Sequence, residues 1–419
     1  MVPSAADDPG AGRLWRDLER LAEFREEDQP GWTRRVFSAA HHQGREWLRE
    51  RMGEAGLEVH QDPVGNLLGE LPGRSGGGVI VIGSHSDTVA GGGRFDGPLG
   101  VLAAIAVAEG LAERGGLEHP LRVADFLGEE PNRFGLSCLG SRAVAGNLSP
   151  AHLELSAGED GTLGQALGEL VGRAPDLDAL PWELGSIHAC FELHIEQGTR
   201  LERAGRPLGV VTTIAGISRA RVRVLGRLDH AGTAAMDERR DALALAAELV
   251  LLVERLAGDR VAGASGVGTV GWLEVLPGAA NVVPGEVLFD LELRSASSEW
   301  LADRGRALES GLERASALRR CQVELQWQSR ESPVECAPSC RSLISRAIES
   351  LGEQPIEVDS MASHDSAQLA RLAPTGMIFV PSRQGRSHCP EEWTEPAQVA
   401  LGLAALQRTV ELADREPGL

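Results

Sequence analysis

The apolar positions of this chain change their period along its length. Trp15 to Phe24 and Trp47 to Leu57 carry apolar residues at helical spacing, so the first 60 residues read as helical. Turn-forming residues then cluster at Asp62-Pro63-Val64-Gly65-Asn66. A glycine-rich stretch from Gly73 leads into the unbroken apolar run Val79-Ile80-Val81-Ile82. Beyond it, short strand-like runs (Leu121–Leu127, Cys190–Ile195, Met377–Val380) alternate with helical stretches such as Gly97–Glu113 and Cys340–Leu351. This is the pattern of an α/β fold with a mainly parallel sheet. Between 210 and 328 the texture differs. Arg219–Leu225 alternates like a half-exposed strand, Gly268–Leu276 and Glu286–Leu293 are strand-like, and Ala242–Leu256 and Leu301–Leu318 are helical. That β-α-β-β-α order suits a small α+β sandwich. The expected organisation is one domain in two parts, 1–209 and 329–419, with an inserted α+β domain at 210–328.

The strand-like runs share a second feature: each leads to residues that bind metal well. Val79–Ile82 runs into Gly83-Ser84-His85-Ser86-Asp87, Leu121–Leu127 into Gly128-Glu129-Glu130, Cys190–Leu193 into His194, and Met377–Val380 through a loop to Ser387-His388. Ligands of open α/β sheets bind at the carboxyl ends of strands, so parallel strands would bring these residues to one edge. Asp96-Gly97-Pro98 carries the signals of a helix start, which places Asp96 at that edge too. Taken singly, each has an ordinary explanation: a satisfied polar histidine, a solvated Glu pair, a helix cap. Together they suit a two-metal hydrolase. Imidazole and carboxylate donors fit Zn²⁺ first, with Mn²⁺, Co²⁺ or Ni²⁺ as alternatives, and a carboxylate can bridge two ions. Glu129 beside Glu130 offers one ligand and one general base. Asp87 could accept a hydrogen bond from the His85 imidazole and orient it.

Composition narrows the picture. The chain has 419 residues, with 41 Lys+Arg against 61 Asp+Glu, a formal charge of −20. A nucleic acid or an anionic membrane is not an expected partner for such a chain, because phosphate contacts need clustered cations. No apolar run is long enough to span a membrane. The acidic N-terminus lacks an export signal, and the six scattered cysteines form no CxxC, so a cytoplasmic location is expected. Lys and Tyr are absent, which codon bias or salt adaptation could each produce. Every cation is therefore Arg, and neither a lysine Schiff base nor a tyrosine acid is available for chemistry.

Longer motifs carry a resemblance. Gly83-Ser84-His85-Ser86-Asp87-Thr88, Gly92-Gly93-Arg94-Phe95-Asp96-Gly97, Glu129-Glu130 with Arg133-Phe134, and Glu192-Leu193-His194-Ile195-Glu196-Gln197-Gly198 resemble the hydantoinase/carbamoylase family. That family groups N-carbamoyl-L-amino acid hydrolases, allantoate amidohydrolases and β-ureidopropionases within the aminoacylase/carboxypeptidase-like metallopeptidases. His230-Ala231-Gly232-Thr233, Arg239-Arg240-Asp241, Ala280-Asn281-Val282-Val283-Pro284-Gly285 and Gly385-Arg386-Ser387-His388-Cys389-Pro390-Glu391-Glu392 agree. The resemblance implies two divalent ions, one held by His85, Asp96 and His194, the other by Asp96, Glu130 and His388. Asp96 would bridge and Glu129 would be the general base. His230, Gln197, Asn281, Arg294 and His364 would meet a small anionic ureido substrate, with His230 also stabilising the oxyanion and reaching across a homodimer interface. The inserted domain would serve as lid and dimerisation element. One departure stands out: the small-residue run before His364-Asp365 carries Met361 and Ser363 at glycine positions.

Three other patterns lead elsewhere. Gly266-Val267-Gly268-Thr269-Val270-Gly271 spells a dinucleotide motif but leads into a strand-like run rather than opening a helix. Gly73-Arg74-Ser75-Gly76-Gly77 precedes a strand instead of forming a nucleophile elbow. His41-His42 reads as surface.

Overall fold

The computed structural model describes residues 9–179 and 181–419. The first eight residues, part of the N-terminal stretch read above for an export signal, lie outside the described residues. The chain divides into two compact units: 1–212 with 336–358 and 364–419, and 213–335 with 359–363. The strands in chain order are β1 (Glu58–Gln61), β2 (Leu67–Leu71), β3 (Val79–His85), β4 (Leu121–Phe126), β5 (Ile187–Ile195), β6 (Gly209–Ile214), β7 (Gly216–Leu225), β8 (Asp229–His230), β9 (Val267–Leu276), β10 (Val282–Val283), β11 (Glu286–Ser295), β12 (Gln322–Glu331), β13 (Val334–Glu335), β14 (Ile356–Ser360) and β15 (Thr375–Val380).

In the first unit the sheet runs β1-β2-β4-β3-β5-β15-β6. The four central strands β4, β3, β5 and β15 are parallel, while β2 and β6 flank them antiparallel. The runs Val79–Ile82 and Met377–Val380 are unbroken because both sheet faces are covered, whereas β4 carries Arg122 and Asp125 and β5 carries Glu192 and His194. Ile80 and Ile82 enter the larger core with Phe191 and Leu193, whereas Val81 and Cys190 enter a second core on the other face with Phe126. Successive side chains of a strand point to opposite faces, which fixes this division. Helices Pro9–Glu23, Pro98–Glu113, Pro338–Ser350 and Pro396–Ala413 contribute to the larger core. Pro98–Glu113 is apolar nearly all round, as a helix buried on most sides must be.

The N-terminal expectation needs correcting. Residues 58–60, at the end of the stretch read as helical, belong to β1 of the β1–β2 hairpin, paired Glu58↔Glu70 to Gln61↔Leu67. Its turn is held by Asp62, whose Oδ1 accepts the backbone N–H groups of Val64, Gly65 and Asn66. His41 is buried rather than on the surface. It lies on the inward stripe of helix Ala39–Glu54 with Arg45, Leu48 and Met52, at i, i+4 and i+3 steps. Burial, with Arg45 and Arg34 nearby, holds its pKa well below the usual imidazole range. Asp96 does not cap the helix it precedes; Gly97 takes that position, which leaves the Asp96 carboxylate for other partners.

The second unit is an antiparallel sheet in the order β12-β7-β11-β9. Helices Ala242–Gly258 and Ser298–Arg319 cover one face, sharing a core with Val222, Phe289, Leu291 and Trp300. The alternation of β11 is complete, every second residue buried. On the opposite face Arg219, Arg221 and Arg223 pair with Glu292, Asp290 and Glu286. The expected boundary at 328 falls inside β12, a strand that the sequence reading did not include. The glycine motif at 266–271 lies largely within β9.

Candidate metal centre

The first unit brings the ligand-bearing strand ends together. His85 closes β3, and His194 is the penultimate residue of β5. Glu129 and Glu130 follow β4, Asp96 precedes the helix at Pro98, and His388 lies in the loop after β15. One ligand atom from each of His85, Asp96 and His194 lies within 4.8 Å of the others, and the same holds for Asp96, Glu130 and His388. Asp96 belongs to both groups through different oxygens. Its Oδ1 is 3.2 Å from His194 Nε2 and 4.0 Å from His85 Nε2. Its Oδ2 is 3.2 Å from His388 Nε2, which is also 3.2 Å from Glu130 Oε1. Glu129 Oε2 stands 3.8 Å from His85 Nε2.

Two histidines have their ring orientation fixed by carbonyl groups. His85 Nδ1 bonds the Asp87 carbonyl at 3.0 Å and His194 Nδ1 the Ile195 carbonyl at 2.9 Å. A carbonyl can only accept, so each Nδ1 carries the proton and Nε2 is the atom left for a metal. His194 Nε2 is buried with no hydrogen-bond partner. An orphaned imidazole nitrogen facing a carboxylate with two separate donor oxygens fits divalent metal. Gly97 permits the close packing: a Cβ there would lie 2.3 Å from His85 Cε1, and its φ is +84°.

The electrostatics are those of an acid cluster. Burial drives the Glu129 carboxyl well above the usual range, with the charge of Glu130 adding and His85 opposing. For His388 burial pulls downward, but hydrogen bonds with Asp96 and Glu130 dominate and lift it to about 11. Burial likewise opposes the charged forms of His85 and His194, but the neighbouring carboxylates raise both above the usual imidazole range.

Several expected residues take other partners. The Asp87 carboxylate is 3.6 Å from His85 Nδ1, too far for a good hydrogen bond. It accepts instead from the backbone N–H of Glu129 and of Glu130, both at 3.2 Å, and so positions the acid pair. Gln197 Nε2 donates to Asp96 Oδ2 at 2.6 Å. His364 is buried, its ring 4.6 Å from that of His194. His364 and His194 also form a third acid–histidine group with Glu192, but both Glu192 oxygens already accept hydrogen bonds, from Ser84 and Ser366. The sequence reading gave no role to Cys138, whose thiol donates to Glu129 Oε1 at 3.4 Å. It gave none to Ser387, whose hydroxyl is 2.5 Å from Asp96 Oδ2. Neither carries a signal of its own in sequence.

His230, Asn281 and Arg294 belong to the second unit. His230 and Asn281 meet where β8 pairs with β10, with Ala231 N–H donating to the Asn281 carbonyl at 3.0 Å. The Gly232 N–H donates to His230 Nδ1 at 3.0 Å, so Nε2 carries the proton of this exposed ring and is a donor. Arg294, on β11, bonds Glu292 and the Met361 carbonyl.

Residues 81–412 match peptidase family M20/M25/M40. The chain is 39% identical to the N-carbamoyl-L-amino acid amidohydrolase of Geobacillus stearothermophilus, over 95% of this chain and 97% of that protein. It is 33% identical to the allantoate amidohydrolase of Bacillus subtilis, over 93% and 94%. A crystal structure of a hydantoinase/carbamoylase family amidase from Burkholderia multivorans superposes with a TM-score of 0.86 at 33% identity, covering 97% of this chain and 98% of that one. The chain belongs to the hydantoinase/carbamoylase branch of the M20 family. It is a metal-dependent amidohydrolase with the mainly parallel catalytic sheet of that family. Among the described residues no helix is long and apolar enough to cross a membrane.

Proposed function

We propose that this M20 amidohydrolase cleaves the carbamoyl C–N bond of an N-carbamoyl-L-amino acid, giving the amino acid, CO₂ and ammonia. The observation that carries it is Asp96, whose two oxygens each face a separate ligand group beside the buried Glu129. His85, His194 and Asp96 would hold one divalent ion, and Asp96, Glu130 and His388 the other, with Zn²⁺ the first candidate. Two such ions supply Lewis-acid polarisation of the carbamoyl carbonyl and an activated water. Glu129 takes the water proton and returns it to the leaving amine. His230, an Nε2 donor, steadies the developing oxyanion. Arg294 receives the substrate carboxylate through its planar guanidinium, exchanging its present partners, while Asn281 and Gln197 orient the ureido group. The 39% identity to a named N-carbamoyl-L-amino acid amidohydrolase supports the substrate. Allantoate is the second reading, favoured by the allantoate amidohydrolase relative.

Ammonia release from the metal-loaded protein across N-carbamoyl-L-amino acids, allantoate, ureidoglycolate, β-ureidopropionate and an N-acetyl-amino acid decides the class. The highest kcat/KM should fall on an N-carbamoyl-L-amino acid. Acetate release without ammonia from any ureido compound would sink the reading.

We further propose a homodimer. Strand β9 is an edge of its sheet and exposes Val267, Trp272, Leu273 and Leu276, an unprotected edge of the kind that invites pairing. Replacing Trp272 and Leu273 with Arg should convert the sedimenting species from dimer to monomer. A monomeric wild type with full activity removes this proposal.

A further inference from the structure

One buried acid beside the metal centre has no role in the reaction above. Glu391 and Glu392 are adjacent, yet their surroundings are opposite. Glu391 is exposed and pairs with Arg386, whereas Glu392 is 2% exposed. Glu392 Oε1 accepts the backbone N–H of Phe95 at 2.8 Å and of Asp96 at 3.1 Å. Its Oε2 accepts the Ser387 hydroxyl at 2.7 Å, and that hydroxyl also touches Asp96 Oδ2. The carboxylate therefore ties the loop carrying Asp96 to the loop carrying His388. The fit is close: a Cβ on Gly93 would sit 2.1 Å from Glu392 Oε1.

His388 needs such a tie more than the other candidate ligands do. His85 and His194 sit at the ends of strands inside a hydrogen-bonded sheet, 1% exposed. His388 is on a loop, in the left-handed backbone region (φ +55°), with its side chain 49% exposed. No ladder holds it, and its register against Asp96 depends on local bonds.

We propose that Glu392 is a positioning residue that assembles one half of the centre, the half made by Asp96 Oδ2, Glu130 and His388, and that it does so through Ser387 and the Phe95–Asp96 backbone. The His85–His194 half shares only Asp96 with this tie, because its two histidines are held by strands. This inference rests on the two-ion reading above.

The test is calorimetric titration of Zn²⁺ into the metal-stripped full chain, with the melting temperature of the metal-free protein recorded alongside. Wild type should bind two ions. Glu392→Ala should weaken one of the two by about 10–100-fold, the usual loss when a residue supporting a ligand is removed. The other ion, which shares only Asp96 with this tie, should weaken clearly less, and the metal-free melting temperature should stay at the wild-type value. Glu392→Gln keeps one acceptor oxygen for three donors and should weaken the same ion to a lesser degree. Ser387→Ala, which leaves both backbone bonds in place, should do likewise and serves if Glu392→Ala fails to fold. Two ions at wild-type affinity in Glu392→Gln and Ser387→Ala would overturn the inference. Equal weakening of both ions together with a fallen melting temperature would also overturn it, as the mark of a purely structural acid. A wild type that binds fewer than two ions would instead overturn the dinuclear reading itself, and this inference with it.

Discussion

At the scale of single residues, adjacent carboxylates meet different partners. Glu129 and Glu130 are both nearly enclosed, and the Asp87 carboxylate receives the N–H of each. Glu130 faces His388, while Glu129 faces His85 and the Cys138 thiol. Glu129→Gln should leave bound metal unchanged by elemental analysis and lower kcat by about 10²–10⁴-fold, the range that general acid–base catalysis contributes. Retained turnover would remove Glu129 as the base. The sequence pointed to this pair as one ligand and one base, but the residue types alone left open which was which. The neighbours that distinguish the two come from a strand end (His85), a helix start (Cys138) and a loop (His388), and no local pattern records them. The same holds for Glu391 and Glu392, one on the surface and one buried.

At the scale of elements, the apolar runs were legible because their length and period set where strands stop. Val79–Ile82 and Met377–Val380 lie in strands covered on both sheet faces, which is why each is an unbroken apolar run. Elements whose signal is weaker were missed. The β1 strand Glu58-Val59-His60-Gln61 is half exposed, and β12 alternates single apolar residues with Gln, Glu and Ser at an edge of the sheet. Such strands exist because a neighbour supplies a ladder, not because of their own propensity. Helix starts behave locally. Asp241 accepts the N–H groups of Leu243 and Ala244 at the head of helix Ala242–Gly258. Asp241→Ala should cost about 0.5–2 kcal/mol in chemical denaturation, while Asp241→Asn should cost less. An unchanged midpoint in the alanine variant would show that the cap is not stabilising.

At the scale of the whole molecule, the charge of −20 is at odds with an anionic substrate. Under the proposed function, two divalent ions held by Asp96, Glu130 and the three histidines, with Arg294 for the substrate carboxylate, would supply the positive charge that the composition lacks. The same cluster links metal to protons. His388, lifted to about 11 by Asp96 and Glu130, is protonated at neutral pH without an ion and must lose that proton to serve as a ligand. The loaded protein thus binds fewer protons, so metal affinity should fall as pH falls. Saturating Zn²⁺ should raise the melting temperature, by about 2.7 kcal/mol of stability at a hundredfold excess over Kd, and this gain should shrink between pH 8 and 6. A pH-independent gain would contradict the protonated resting state. By itself the sequence determined the parallel sheet, the order of ligand-bearing strand ends and the kind of chemistry they allow, because apolar periodicity and donor type are local properties. Only the tertiary structure decided that the Asp87 carboxylate supports the acid pair while its carbonyl orients His85, that His41 is core, and that Glu392 joins two loops. Those outcomes depend on which backbone N–H groups and side chains lie within hydrogen-bond distance, which strand register and loop packing set and linear spacing does not.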